Sequence, residues 1–291
     1  MLDRAIVNVG RIAVQGRNEE WAETGRIHCA ATTSGDHFVQ LYGSDTSSLS
    51  SNVARFLAEG YRNGDGLLLI ASAENTYTIL DALRTLALDP NSIRRSGRFV
   101  VLDAEKTLSS LLHEGQPDHR GFFETIVPIV QQLVSKSPSG EMSAYGEMVG
   151  VLWTLGSFSG AMALEDMWND LLSSRNSRLF CGYPIDVFGA SFHACDVEAL
   201  LSSHSHVIPM DAGEKLEIAI CRAIGEVLGN GNEAARVREE AEQQLPWAMN
   251  LRGEAAILWV RKHLGDEADD ILARARQYCL PQTPIDHLAS Y

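Results

Sequence analysis

The chain has 291 residues, long enough for one large domain or a medium one with an appendage, and its 45% hydrophobic and 21% charged residues are ordinary for a globular protein. A formal charge of -14 without any long Lys/Arg run repels a phosphate backbone, which argues against direct nucleic-acid binding. No apolar run is long enough to span a bilayer, no leader-like segment opens the chain, and the five cysteines are scattered without a CxxC pair; a cytoplasmic protein with reduced thiols and no membrane association is expected.

In chain order, residues 1–35 show no clean periodicity and read as an N-terminal extension with a short helix. A strand is expected at 37–42, followed by a turn rich in Gly, Ser, Asp and Thr and by a helix whose apolar positions are Leu49, Val53, Phe56 and Leu57. The continuous apolar run at 67–71 suits a strand buried on both faces, as in a parallel sheet. A helix at 75–87, a strand at 98–103, a helix at 119–136 kinked by Pro128 and a strand at 142–146 continue the alternation. An amphipathic helix at 160–174, a strand at 178–182 and a short sixth strand at 206–208 complete it. Such alternation predicts an α/β fold with a mainly parallel sheet and helices on both faces. From residue 211 the strands stop and helices are expected at 214–228, 232–244, 247–264 and 267–278, giving a helical C-terminal region over 211–291. This region is acidic and carries large apolar residues, Leu245, Trp247, Leu258 and Trp259 among them. It is expected to dock on the sheet domain and to contribute to a homodimer.

Ligands of open parallel sheets bind beyond the carboxyl ends of the strands. That rule nominates Tyr42 and Ser44 after the first strand, Asp103 after the third, Glu147 after the fourth, and Cys181 with Tyr183 at the fifth. His37 opens the first strand and reaches that edge only if the chain bends back. Trp168 is either a ligand platform or a core ring. The loop after the first strand lies where a phosphate loop would, yet it has one glycine and no lysine, and Asp45 repels a triphosphate. Weak or absent ATP binding and no hydrolysis are therefore expected. No catalytic residue, cofactor or metal is assigned. His193, Cys195, His204 and His206 have metal-ligating side chains, but their spacing does not imply a tetrahedral site. The stretch Gly156-Ser-Phe-Ser-Gly160 lacks the strand-to-helix context of a hydrolase nucleophile.

Six blocks appear in a specific order: His37-x4-Tyr42, Gly64-Asp-Gly66, Gly97-Arg-Phe-Val-Val-Leu-Asp-Ala104, Tyr145-Gly-Glu-Met-Val149, Leu164-Glu-Asp-Met-Trp168 and Leu179-Phe-Cys-Gly-Tyr-Pro184. As a set they resemble the MEDS sensory-domain family over about residues 36–210. The resemblance implies a RecA-like fold, related to circadian-clock ATPases but without a standard phosphate loop. It also implies a sensor of small hydrocarbon derivatives. On that reading the chain binds a small organic or anionic ligand and regulates a protein partner. Family members often carry DNA-binding or kinase-type outputs, and neither is recognisable in 211–291. Two alternatives stand beside the sensor: a divergent ATPase using Glu147 and Asp103 with magnesium, and an interaction module that binds no ligand.

Overall fold

The computed structural model describes residues 25–26, 35–43, 45–173, 177–189, 192–209, 213–229, 231–245 and 251–279. In chain order the elements are β1 (Gly25–Arg26), β2 (His37–Leu41), α1 (Ser47–Arg62), β3 (Gly66–Ala71), α2 (Ala73–Thr85), α3 (Pro90–Arg95), β4 (Phe99–Asp103) and α4 (Ala104–Leu111). A two-strand ribbon follows, β5 (Leu112–His113) with β6 (Gln116–Pro117), then α5 (His119–Lys136), β7 (Met142–Gly146), α6 (Met148–Thr154), α7 (Phe158–Ser173) and β8 (Arg178–Tyr183). The chain continues through α8 (Ala194–Ser202), β9 (His206–Ile208), α9 (Gly213–Leu228), α10 (Gly231–Gln244), α11 (Arg252–His263) and α12 (Gly265–Cys279). Of the expected N-terminal extension, all but β1 and Gly35 lies outside the described residues, as do Ser44 and Trp247. No helix among the described residues is long and apolar enough to cross a membrane.

The sheet runs β1-β9-β2-β8-β7-β3-β4, and its last six strands are parallel. Only the short β1 is antiparallel, pairing with β9 at the edge. β3 is buried at every position, as its uninterrupted apolar run requires. Side-chain alternation divides the core in two. Phe38, Leu67, Leu69, Tyr145 and Phe180 pack with α1 and α2 on one face. Val39, Leu68, Ala144, Leu179 and Cys181 pack with α4 to α8 on the other.

The motif glycines and acids have local reasons. Asp65 between Gly64 and Gly66 accepts hydrogen bonds from Ser139 and Ser143 at 2.8 and 2.7 Å, tying the entrance of β3 to that of β7. Gly182 lies so close to the Tyr145 hydroxyl that any side chain there would collide with it.

Helices α9 to α12 share the core of the second face. Leu216, Ile220, Ile224, Val237, Leu258, Trp259 and Ile271 belong to the same apolar cluster as Leu200 and Val207. Three polar ties reinforce the docking: Lys262 to Glu198 at 2.6 Å, Arg261 to the Gly189 carbonyl at 2.8 Å, and Arg276 to Asp186 at 2.9 Å. Within the described residues the expected docking of the helical region on the sheet domain is what the structure contains.

Candidate functional site

Adjacent strands β2 and β8 lead to opposite faces of the sheet. β2 is followed by α1 on one face, whereas β8 is followed by α8 on the other. Loops that part in this way leave a crevice at the carboxyl edge, the usual ligand position in open α/β sheets. A pocket of about 560 Å³ occupies that position, within the roughly 300–1,000 Å³ typical of small-molecule sites. Tyr42, Gly43 and Leu49 line it from the β2 side, Pro184 and Phe188 from the β8 side, and Lys215 and Arg276 from α9 and α12. The lining thus mixes apolar surface with two cations and two carboxylates, Asp45 and Asp186, and the C-terminal helices form one wall.

At the N-terminus of α1 a carboxylate already stands where an anion would approach. Asp45 accepts a hydrogen bond from the Ser47 amide at 2.9 Å, and that donor holds its carboxyl below the usual range. A phosphate would meet a carboxylate where it needs free N–H groups.

Glu147 follows β7 and is fully engaged. Its Oε2 accepts from the Ser72 amide at 2.8 Å, and its Oε1 accepts from the Asn75 amide group at 2.7 Å and from the Tyr145 hydroxyl at 2.8 Å. The carboxylate therefore joins the end of β7 to the start of α2. Tyr42 lies between this network and the pocket. Burial, then the Glu147 charge, pushes its phenol above the ordinary range, while an Asn75 hydrogen bond opposes them.

A second polar assembly lies beneath, in the layer between β2, β8 and α7. His37 Nε2 is 3.2 Å from Glu165 Oε2 and 3.3 Å from Cys181 Sγ. His204 Nε2 is 3.3 Å from Glu165 Oε1, to which the Tyr183 hydroxyl donates at 2.6 Å. All five residues are buried. Burial raises the Cys181 thiol and the Tyr183 phenol well above their ordinary values, and the Glu165 charge adds to both shifts. Burial and the neighbouring His204 lower His37. Burial acts to raise Glu165, but the two imidazoles outweigh it and hold the carboxyl far below its usual range.

The nominated residues thus separate into groups. Tyr42 lines the pocket, with Glu147 behind it. His37, Cys181 and Tyr183 meet in the buried assembly, brought there by odd-numbered positions of neighbouring strands in register. Asp103 caps α4 through the Lys106 amide at 2.9 Å and ends the opposite edge strand. Trp168 is buried edge-on against Phe122 at 5.2 Å, in the core. The sequence pointed to Glu165 only within the block Leu164-Glu-Asp-Met-Trp168. It placed Lys215 and Arg276 at no site, because the approach of α9 and α12 to the sheet edge has no signature in local spacing. His204 does enter a cluster of metal-ligating side chains, but with His37, Glu165 and Cys181; His206 stacks on Phe38 at 4.5 Å.

Residues 36–205 match the family model described as MEDS: MEthanogen/methylotroph, DcmR Sensory domain. No curated protein matches the chain.

Proposed function

The chain belongs to the MEDS sensory-domain family, and from that premise we propose that it senses a small organic molecule in the pocket at the carboxyl ends of β2 and β8. The observation that carries this reading is the pocket's composition. Its sheet side is the crevice expected of the fold, and its other wall is made by α9 and α12. A bound molecule would touch both, so occupancy would favour the arrangement in which the helices close on the sheet. A ligand shifts only an equilibrium whose two states it binds differently, and a shared wall supplies that difference. Lys215 suits a carboxylate or other anionic head, with Arg276, already held by Asp186, at its side and Leu49 and Phe188 against its apolar part. A protein partner would read the changed face of the C-terminal helices. The nucleotide alternative is weaker, because Asp45 takes the helix N-terminus and Glu147 has three donors already.

The test is a thermal-shift titration with propionate and butyrate, with propanol and butanol as neutral counterparts and MgATP as the nucleotide probe. A saturable rise in Tm with the carboxylates and none with MgATP is expected, since ligand binding to the folded state alone stabilises it. A side chain built at Gly43 meets nothing within 4 Å at its first atom, so Gly43→Phe can fill the pocket without disturbing the backbone. That variant should keep its fold and lose the shift. Failure of every organic probe, or an undiminished shift in Gly43→Phe, would refute the reading.

A further inference from the structure

In the buried assembly of His37, Glu165, Cys181 and His204, both imidazoles turn their inner nitrogens towards one carboxylate. His204 Nδ1 lies 2.8 Å from the Leu200 carbonyl oxygen, which can only accept, so the proton is on Nδ1. In the neutral imidazole Nε2 then presents a lone pair towards Glu165 Oε1, and this buried atom makes no hydrogen bond of good geometry. His37 repeats the pattern. Its Nδ1 faces Asn169 Oδ1 at 2.8 Å, leaving Nε2 directed at the Glu165 carboxylate and the Cys181 sulfur. Two imidazole lone pairs, a carboxylate and a thiol therefore converge, with all four donor atoms within 4.8 Å of one another.

We propose that these four residues form a closed zinc site. Bonds of about 2.0–2.1 Å to nitrogen and oxygen and about 2.3 Å to sulfur give a tetrahedron with edges of about 3.3–3.6 Å. His37 Nε2, Cys181 Sγ and Glu165 Oε2 form one such face, with sides of 3.2, 3.3 and 3.5 Å, while His204 Nε2 stands 3.3 Å from the other carboxylate oxygen, Oε1, so a small rotation of the carboxylate completes the set. The surroundings also match. Each imidazole gives its outer N–H to an oxygen, of Leu200 or Asn169, which fixes the tautomer a metal needs. Tyr183 donates to Glu165 and orients the carboxylate. On binding, the Cys181 thiol loses its proton to solvent, and the thiolate, carboxylate and two neutral imidazoles balance the dication. A buried centre of zero net charge avoids the cost of an isolated ion. Four protein donors leave no position for water or substrate, so the site holds structure and does no hydrolytic chemistry. It would bind β2, α7, β8 and the turn before β9 together.

Protein from zinc-supplemented cultures, purified under reducing conditions, should contain one zinc per chain by elemental analysis. X-ray absorption at the zinc edge should require one sulfur at about 2.3 Å and nitrogen or oxygen neighbours at about 2.0 Å. Absence of zinc, a six-coordinate shell of light atoms, or a shell with more than one sulfur would overturn the proposal without reliance on any variant. Protein from cobalt-supplemented cultures should show tetrahedral visible bands and a thiolate-to-cobalt charge-transfer band. Cys181→Ser should abolish the charge-transfer band, and its persistence would count against this site. Tyr183→Phe keeps all four donors and should lower zinc affinity about 10–100-fold through the carboxylate alone. Unchanged affinity in that variant would remove Tyr183 from the supporting shell and count against Glu165 as a ligand that its hydroxyl orients.

Discussion

Glu147 illustrates how a residue's surroundings decide between use and support. A carboxylate at the end of a buried strand must be paired, hydrated or used, and Glu147 is paired three times, from two elements. Its removal strands the Ser72 amide, the Asn75 amide group and the Tyr145 hydroxyl in the interior. Glu147→Ala should therefore lower the free energy of unfolding by about 2–4 kcal/mol, measured by urea denaturation; an unchanged midpoint would show that water replaces the carboxylate without loss. The sequence carried the position of this residue, because the strand it follows was readable from Met142 to Gly146. It did not carry the partners, since Ser72 and Asn75 approach only when β3 pairs with β7. The same limit applies to His37, Cys181 and Tyr183. Period-two alternation puts each on a definite face of its own strand, but only the pairing of β2 with β8 shows that the faces coincide.

Among elements, the long periodic ones were legible and most of the short ones were not. The helix expected at 119–136 is α5, which continues through Pro128, and the strand at 142–146 is β7. By contrast α3, α6 and α8 are too brief for a hydrophobic period to declare itself, and α4 was announced only by its cap, Asp103. α3 begins at Asp89, whose carboxylate accepts from the Asn91 and Ser92 amides, with Pro90 in the first turn. These caps could have revealed it. The C-terminal helices were legible as helices, and their apolar faces implied a docking surface without locating it. That surface includes Leu216, Ile220, Trp259 and Ile271, all buried in one cluster with the sheet domain. Removing residues 213–291 should uncover this face and cause self-association, visible as faster sedimentation and loss of soluble protein at micromolar concentration. A truncated chain that stays monomeric and soluble would mean that the sheet domain can close its own second face.

For the whole molecule, the parallel sheet and its two helical layers followed from alternation, whereas the strand order did not. That order puts the pocket between β2 and β8 and brings α12 to its rim through Arg276 and Asp186. It also has a temporal meaning. β2 is the first of the parallel strands to be synthesised, yet both its neighbours come late: Phe38 pairs with Phe180 and His206. β3 and β4, joined only by α2 and α3, can pair as soon as residue 103 is made. Contacts distant in sequence form slowly, because the closing loop must be ordered first. In a pulse-labelled refolding experiment, amides of β3 and β4 should gain protection before those of β2, and simultaneous protection of all three would exclude this order. While β2 waits, its Phe38, Val39 and Leu41 remain an uncovered apolar strand, open to a chaperone or to the same strand of another nascent chain.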